Sequence, residues 1–410
     1  PILITLGVAD LPALRVAAIA NNAPVSFGAL GAPLIGLAAV TGLPLLELSA
    51  SVAKIVAILA LAPPWILLYL VAGRKGIRGG WPLAVVGSLA YIAGQFPMAE
   101  WVGPYLPDIT GSIVSFLALL LLLRFWRPAQ VLGFGGRVLT EEELARTPGA
   151  AGAVGDSGGQ GPVAHPPVVT RARVLRAIIP FLILIAVVVA WTGPWSPLPK
   201  YLAFKPTVDF VASLSHKPGE IAWEFAPAIA GTAMMASWVV ICLFLRPRPG
   251  ELRQAFAASF RQMWGALLVG PFIFGLADVF NYSGMASSMA NGFSKVGTVF
   301  IVLAPLLGWI GVALSGSNTA TNAVFGAFQL SVARLLGAPS LLFPSLNSVG
   351  AEVGKPVAPQ TASVGVATSR FVRDEGTVIR YNMPWTLAIL AYLVAIGCLF
   401  YFLLPGAMRL

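Results

Sequence analysis

Long apolar runs fix the solvent of this chain before any motif is read. Residues 55–72, 81–96, 112–125, 177–191, 228–245, 264–280, 298–314 and 383–404 are almost free of charge. A hydrocarbon core of ~30 Å is crossed by about 20 helical residues, so each run, completed by its flanks, is a candidate membrane span. Only 10% of the residues are charged, where a soluble domain carries roughly a quarter. A transmembrane β-barrel would alternate apolar and polar residues over segments of about ten, and 117–123 show no alternation. The expected fold class is all-α, a polytopic transmembrane helix bundle in a lipid bilayer.

The formal charge of +10 raises nucleic acid as a partner, and the placement of the basic residues argues against it. Arg74, Lys75 and Arg78 follow one run, and Arg127, Arg137, Arg146, Arg171, Arg173 and Arg176 fill a long connection. Arg246, Arg248 and Arg253 follow another run, and Arg370, Arg373 and Arg380 precede the last. The alternate connections carry only Lys200, Lys205, Lys217 and Lys295. This is the positive-inside asymmetry of a plasma-membrane protein, with the arginine-rich loops in the cytoplasm and the C-terminus outside. No basic stripe is interleaved with aromatics, so no nucleic acid is expected. Cys242 and Cys398 stand alone in apolar runs without CxxC spacing and read as packing residues.

Residues 128–170 are rich in Gly, Ala and Pro and include Glu141, Glu142 and Glu143. They read as a flexible cytoplasmic linker between an N-terminal transmembrane half, 1–127, and a C-terminal half, 171–410. A second polar stretch, 192–220, has Trp191, Trp195 and Trp223 at its edges, where aromatic rings favour the headgroup level. It is expected outside, partly on the membrane surface.

Function is sought where small polar residues interrupt apolar helices, because non-helical backbone at membrane depth must be buried in protein or line a cavity. One interruption is 315–322, Ser-Gly-Ser-Asn-Thr-Ala-Thr-Asn; a second is 347–356, followed by Pro359, Gln360 and a small-residue helix over 361–369. The N-terminal half holds a counterpart at 21–33, also led by Asn, spaced by Gly and closed by Pro. Paired interruptions point to broken or re-entrant helices in an inverted repeat, with the site between the repeats. Half-helix N-termini suit a carboxylate. The expected substrate-binding residues are Asn22, Ser26, Ser317, Asn318, Thr319, Asn322, Asn347 and Gln360 as hydrogen-bonding groups, with Lys355 as the cation. The alternative is that these groups glue helices together and that Lys355 snorkels to the interface.

Ionisable residues within spans are costly and few. Glu47 and Lys54 lie two helical turns apart, and Asp278 sits near the end of a run. Glu352 and Lys355, three apart, form the pair expected to couple protons or charge, with a structural ion pair as the alternative. The only histidines, His165 and His216, lie in polar connections, and no HExxH, GxSxG, GxxxxGK[ST] or Cys/His metal pattern is present. Neither an enzyme nor a metal or other cofactor is expected. A channel lacks a repeated filter sequence or a ring-forming charge series.

Several motifs together carry a resemblance. They are Asn22-Ala23-Pro24-Val25-Ser26-Phe27-Gly28-Ala29-Leu30-Gly31, Gly103-Pro104-Tyr105-Leu106-Pro107-Asp108-Ile109 and Asn281-Tyr282-Ser283-Gly284-Met285. To these are added Gly316-Ser317-Asn318-Thr319 through Asn322, Phe325-Gly326, Gly354-Lys355 and Pro359-Gln360. Over nearly its whole length the chain resembles the L-lactate permease family. The resemblance implies a bacterial inner-membrane symporter that imports lactate, or in some members glycolate, with protons. Some members carry aspartate where this chain has Asn318. Members also continue upstream of the equivalent of Pro1, so the first repeat is expected to be incomplete here. The competing readings are a transporter of another organic anion, such as gluconate or a dicarboxylate, and an anion channel.

Overall fold

The computed structural model describes residues 2–5, 8–22, 25–140, 171–192, 195–198, 207–211, 218–222, 230–369 and 374–410. It divides into two compact units, Pro1–Val168 with Val296–Leu410, and Val169–Lys295. Most of the expected linker, 141–170, lies outside the described residues, as do Lys200, Lys205, Lys217, Trp223 and both histidines.

After a short helical turn, Ile2–Thr5, the first unit runs through α1 (Asp10–Ala20), then a 3₁₀ turn Val25–Phe27 leading into α2 (Gly28–Thr41). It continues with α3 (Leu45–Leu59), α4 (Pro63–Trp101) and α5 (Pro107–Phe125). The apolar run 55–72 is not the single span expected from sequence. It is cut at 60–62, because Pro63 and Pro64 lack the N–H groups needed to prolong α3 and instead start α4. Within α4 the backbone breaks again at Ala72 and Gly73, where Gly73 takes φ 59°. Beyond α5, a bridge between Leu132 and Val138 and a 2.8 Å bond from Gly133 N–H to Arg137 O make a small hairpin. The described start of the expected linker thus contains backbone pairing.

The second unit contains α6 (Arg171–Thr192), a β-hairpin of β1 (Thr207–Val211) antiparallel to β2 (Pro218–Ala222), α7 (Ala230–Leu245), α8 (Pro249–Tyr282) and α9 (Met285–Ser294). The hairpin falls in the polar stretch and is the exception to an otherwise helical architecture among the described residues.

The C-terminal part of the first unit supplies α10 (Phe300–Ser315), α11 (Asn318–Leu335), α12 (Leu342–Gly354), α13 (Pro359–Thr368) and α14 (Glu375–Cys398). Asp374 caps α14 by accepting from Gly376 N–H at 2.9 Å and Thr377 Oγ1 at 2.8 Å. The Thr377 hydroxyl and the Gly376 amide hold its carboxyl below the ordinary aspartate value. Every one of the 13 residues of α12 is buried, as expected of a helix enclosed on all sides.

Helix α12 corrects the expectation of an unwound segment at 347–356. Residues 347–354 are helical, and the chain breaks only at the 3₁₀ turn Lys355–Val357. Gly350 and Gly354 act as contact surface there instead of breaking the helix. A Cβ on Gly350 would lie 2.1 Å from Pro305 O, and one on Gly308 would lie 2.1 Å from Asn347 O. The backbones of α10 and α12 touch, a packing that small residues permit in membrane bundles.

Four described stretches are long and apolar enough to cross a membrane: Leu45–Trp101, Pro107–Phe125, Gly297–Ser315 and Glu375–Leu403. A fifth is obtained if Asp10–Ala20 and Val25–Thr41, bent by 65°, count as one broken span. Ile178–Thr192 and Gly231–Leu245 are apolar but shorter, and the run 264–280 lies inside α8.

Candidate functional site

Three interruptions of the first unit converge on one polar cluster. The first is the entry to α2, where Ala29, Leu30 and Gly31 follow one another at φ 49°, 57° and 76°. Left-handed backbone is costly for Ala and Leu and persists only where the surroundings over-determine it. One determinant is the 102–106 connection, since a Cβ on Gly31 would lie 2.7 Å from Pro104 O. The turn aims the Ser26 amide at α12: Ser26 N–H donates to Glu352 Oε2 at 3.0 Å, and Ser26 Oγ lies 3.2 Å from Ser348 Oγ.

The second interruption separates α10 from α11. Gly316 takes φ 71° and closes α10, and Ser317 caps α11 by accepting from Ala320 N–H at 3.2 Å. The first turn of α11 then enters the cluster. Asn318 Nδ2 donates to Ser348 O at 3.2 Å. Asn322 Nδ2 donates to Ser348 Oγ and to Pro33 O, each at 3.0 Å, and its Oδ1 accepts from Asn347 Nδ2 at 3.0 Å. Gln329, further along the same helix, donates to Ala304 O at 3.2 Å and reaches Asn347 Oδ1 at 3.4 Å.

The third interruption follows α12. Lys355 Nζ donates to Gly316 O at 2.5 Å, so the ammonium neutralises the carbonyl end of α10. Gln360 is exposed, yet its Cβ would lie 2.9 Å from a Cβ placed on Gly316. Glu352 and Lys355 form no ion pair with each other; among the described residues the salt bridge is Lys54 to Glu100 at 3.7 Å. Lys54 is therefore engaged away from Glu47, which is exposed.

Ser26, Asn318, Asn322 and Asn347 thus meet in one buried network, while Ser317, Lys355 and Gln360 gather around Gly316. Thr319 is half-buried one residue beyond Asn318. Asn22 is buried at the end of α1, with both amide atoms lacking a partner. Asn318 Oδ1 and Glu352 Oε1 are likewise buried and unpartnered. Buried polar atoms are almost always satisfied, so these unpartnered donors and acceptors single out the cluster as the candidate site.

Sequence reasoning did not single out Ser348 and Gln329. Ser348 and Glu352 are four apart, and Asn318, Asn322 and Gln329 recur at helical spacing, so each set lies along one helix face. That signal becomes visible once 347–354 is read as helix.

A family model described as L-lactate permease matches residues 1–405. An L-lactate permease of Escherichia coli (strain K12) is 29% identical over 408 residues, covering 94% of this chain and 70% of that protein. A glycolate permease of the same strain is 31% identical over 404 residues, with 94% and 70% covered. An L-lactate permease of Bacillus subtilis (strain 168) is 28% identical over 428 residues, with 98% and 73% covered.

Proposed function

The chain belongs to the L-lactate permease family, and on that premise we propose that it imports lactate, or a related 2-hydroxy-monocarboxylate such as glycolate, together with protons across the bacterial inner membrane. The relatives named for lactate and for glycolate support the substrate class. The observation that carries the reading at the level of residues is the Ser26 to Glu352 contact within a buried Asn/Ser network of an apolar bundle.

The proposed substrate residues are those that meet or flank this network: Asn22, Ser26, Asn318, Asn322 and Asn347, with Ser317, Thr319, Lys355 and Gln360 on the Gly316 side. A hydroxy-carboxylate needs donors for two carboxylate oxygens and a partner for one hydroxyl. The asparagine amides, the serine hydroxyls and the N-terminal turn of α11 offer both kinds of group. Lys355 adds a positive charge at the edge of the cluster.

Glu352 supplies the proposed coupling. An ionised carboxylate there would repel an approaching anion in a low-dielectric interior, and protonation removes that repulsion. Anion and proton therefore enter together, and alternating access to the site carries both across. One proton with one monovalent anion moves no net charge, so the pH gradient drives the step and the membrane potential does not. On the topology set by the arginine-rich loops, uptake runs from the side of the 102–106 connection.

Substrate class is tested by ligand-induced thermal stabilisation of the purified protein with L-lactate, glycolate, gluconate and succinate. Stabilisation by the first two alone is expected. Stabilisation by gluconate or succinate alone would move the assignment to another organic anion.

A further inference from the structure

A second, partly buried polar cluster lies in the seam between α4 and α5 and is not used by the mechanism above. Tyr91 and Gln95, one turn apart on α4, both face α5. A Cβ on Gly111 would lie 2.9 Å from Tyr91 Cε2 and 3.0 Å from Gln95 Cβ. Asp108, three residues before Gly111 on the same helix, lies 3.4 Å from Tyr91 Oη through its Oδ1. Gln95 is fully buried and neither of its amide atoms has a partner.

This cluster is joined to the first by the chain itself. The connection ahead of Asp108 presses on Gly31 through Pro104, and Gly31 ends the turn that carries Ser26 onto Glu352. Asp108 and Tyr91 lie within electrostatic reach of Glu352. The other charges on the packed elements are exposed or engaged. Glu47, Arg74, Lys75, Arg78, Arg124, Arg334, Glu375 and Arg380 are exposed. Lys54 is held by Glu100 and Ala407 O, Lys355 by Gly316 O, Arg15 by Tyr381 O and Asp10 by Ser369 Oγ.

We propose that Asp108, hydrogen-bonded by Tyr91 in the seam between α4 and α5, is a second proton-carrying residue that delivers the coupled proton to Glu352. The inference rests on the transport reading given above. On that topology Asp108 stands at the start of α5, directly after the outer connection. The proton leaves the Asp108 carboxyl as its O–H bond breaks and forms a new O–H bond on the Glu352 carboxylate, so one carboxylate is exchanged for another and no charge is created. A buried water is the natural carrier, and the unpartnered Gln95 amide and Glu352 Oε1 each offer a polar group of the kind such a water needs.

The test separates coupling from binding. In proteoliposomes loaded with unlabelled L-lactate, wild-type protein shows both lactate–lactate exchange and accumulation driven by an inward proton gradient. Asp108→Asn is expected to keep exchange within about threefold and to lose gradient-driven accumulation, while Asp108→Glu restores it. Tyr91→Phe, which removes only a hydroxyl, is expected to displace the pH profile of uptake by about one unit, the size of a hydrogen bond to a charged group. Unaltered accumulation by Asp108→Asn, or loss of exchange along with accumulation, overturns the proposal. If wild-type protein carries neither lactate nor glycolate, the transport reading fails instead, and the two failures are distinguishable.

Discussion

The backbone amide of Ser26 donates to the Glu352 carboxylate at 3.0 Å across 326 residues of sequence, tying the N-terminal helix break to the most enclosed helix of the unit. Glu352→Gln keeps an acceptor for that amide and removes the charge. It is expected to fold and exchange substrate but to lose accumulation driven by a proton gradient. Glu352→Ala additionally strands a buried N–H, at a cost of roughly 1–3 kcal/mol, read as a lower thermal midpoint in detergent. Gradient-driven uptake by the Gln variant equal to wild type would remove Glu352 from coupling.

Asn322 and Asn347 share a 3.0 Å bond inside the same network. A double-mutant cycle with alanine at both positions is expected to show non-additivity of about 0.5–3 kcal/mol. Strict additivity of the two unfolding free energies would mean that the network does not act as a unit.

Gly350 and Gly308 let α12 and α10 meet backbone to backbone. Gly350→Ala forces its methyl against Pro305 O and is expected to cost about 1–3 kcal/mol by overpacking. Gly28→Ala, where no atom lies within 4 Å of the added Cβ, is the control and should leave the thermal midpoint nearly unchanged. Equal tolerance at both positions contradicts the packing described.

Lys355 bonds to Gly316 O at 2.5 Å at the edge of the cluster. Lys355→Ala is expected to raise the KM for lactate about tenfold, the equivalent of ~1.4 kcal/mol, with partial recovery in Lys355→Arg. Unchanged affinity and uptake would leave the lysine a helix-end role only.

Much of this was legible in the sequence because lipid imposes a simple rule, an apolar run of sufficient length for each span, and the run 383–404 indeed lies, but for Leu404, within the helical stretch Glu375–Leu403. The same rule misled at 55–72, where apolar composition continues across Pro63 although helix hydrogen bonding cannot. Glycines are ambiguous in sequence for a related reason. Gly316 ends a helix at φ 71°, whereas Gly350 sits within one and serves as contact surface. Only the neighbouring backbone distinguishes the two uses. That ambiguity hid Ser348, whose place in the network depends on α12 being helical. The Tyr91 to Asp108 contact joins two helices across a short connection, and no periodicity within either one announces it.

The central claim is tested most directly by radiolabelled L-lactate uptake into proteoliposomes containing the purified protein, with and without an inward proton gradient, at clamped zero potential. The account predicts accumulation only with the gradient, abolished by an uncoupler and competed away by excess glycolate. Folded protein that fails to accumulate lactate under the gradient, or that accumulates it equally without one, would contradict it.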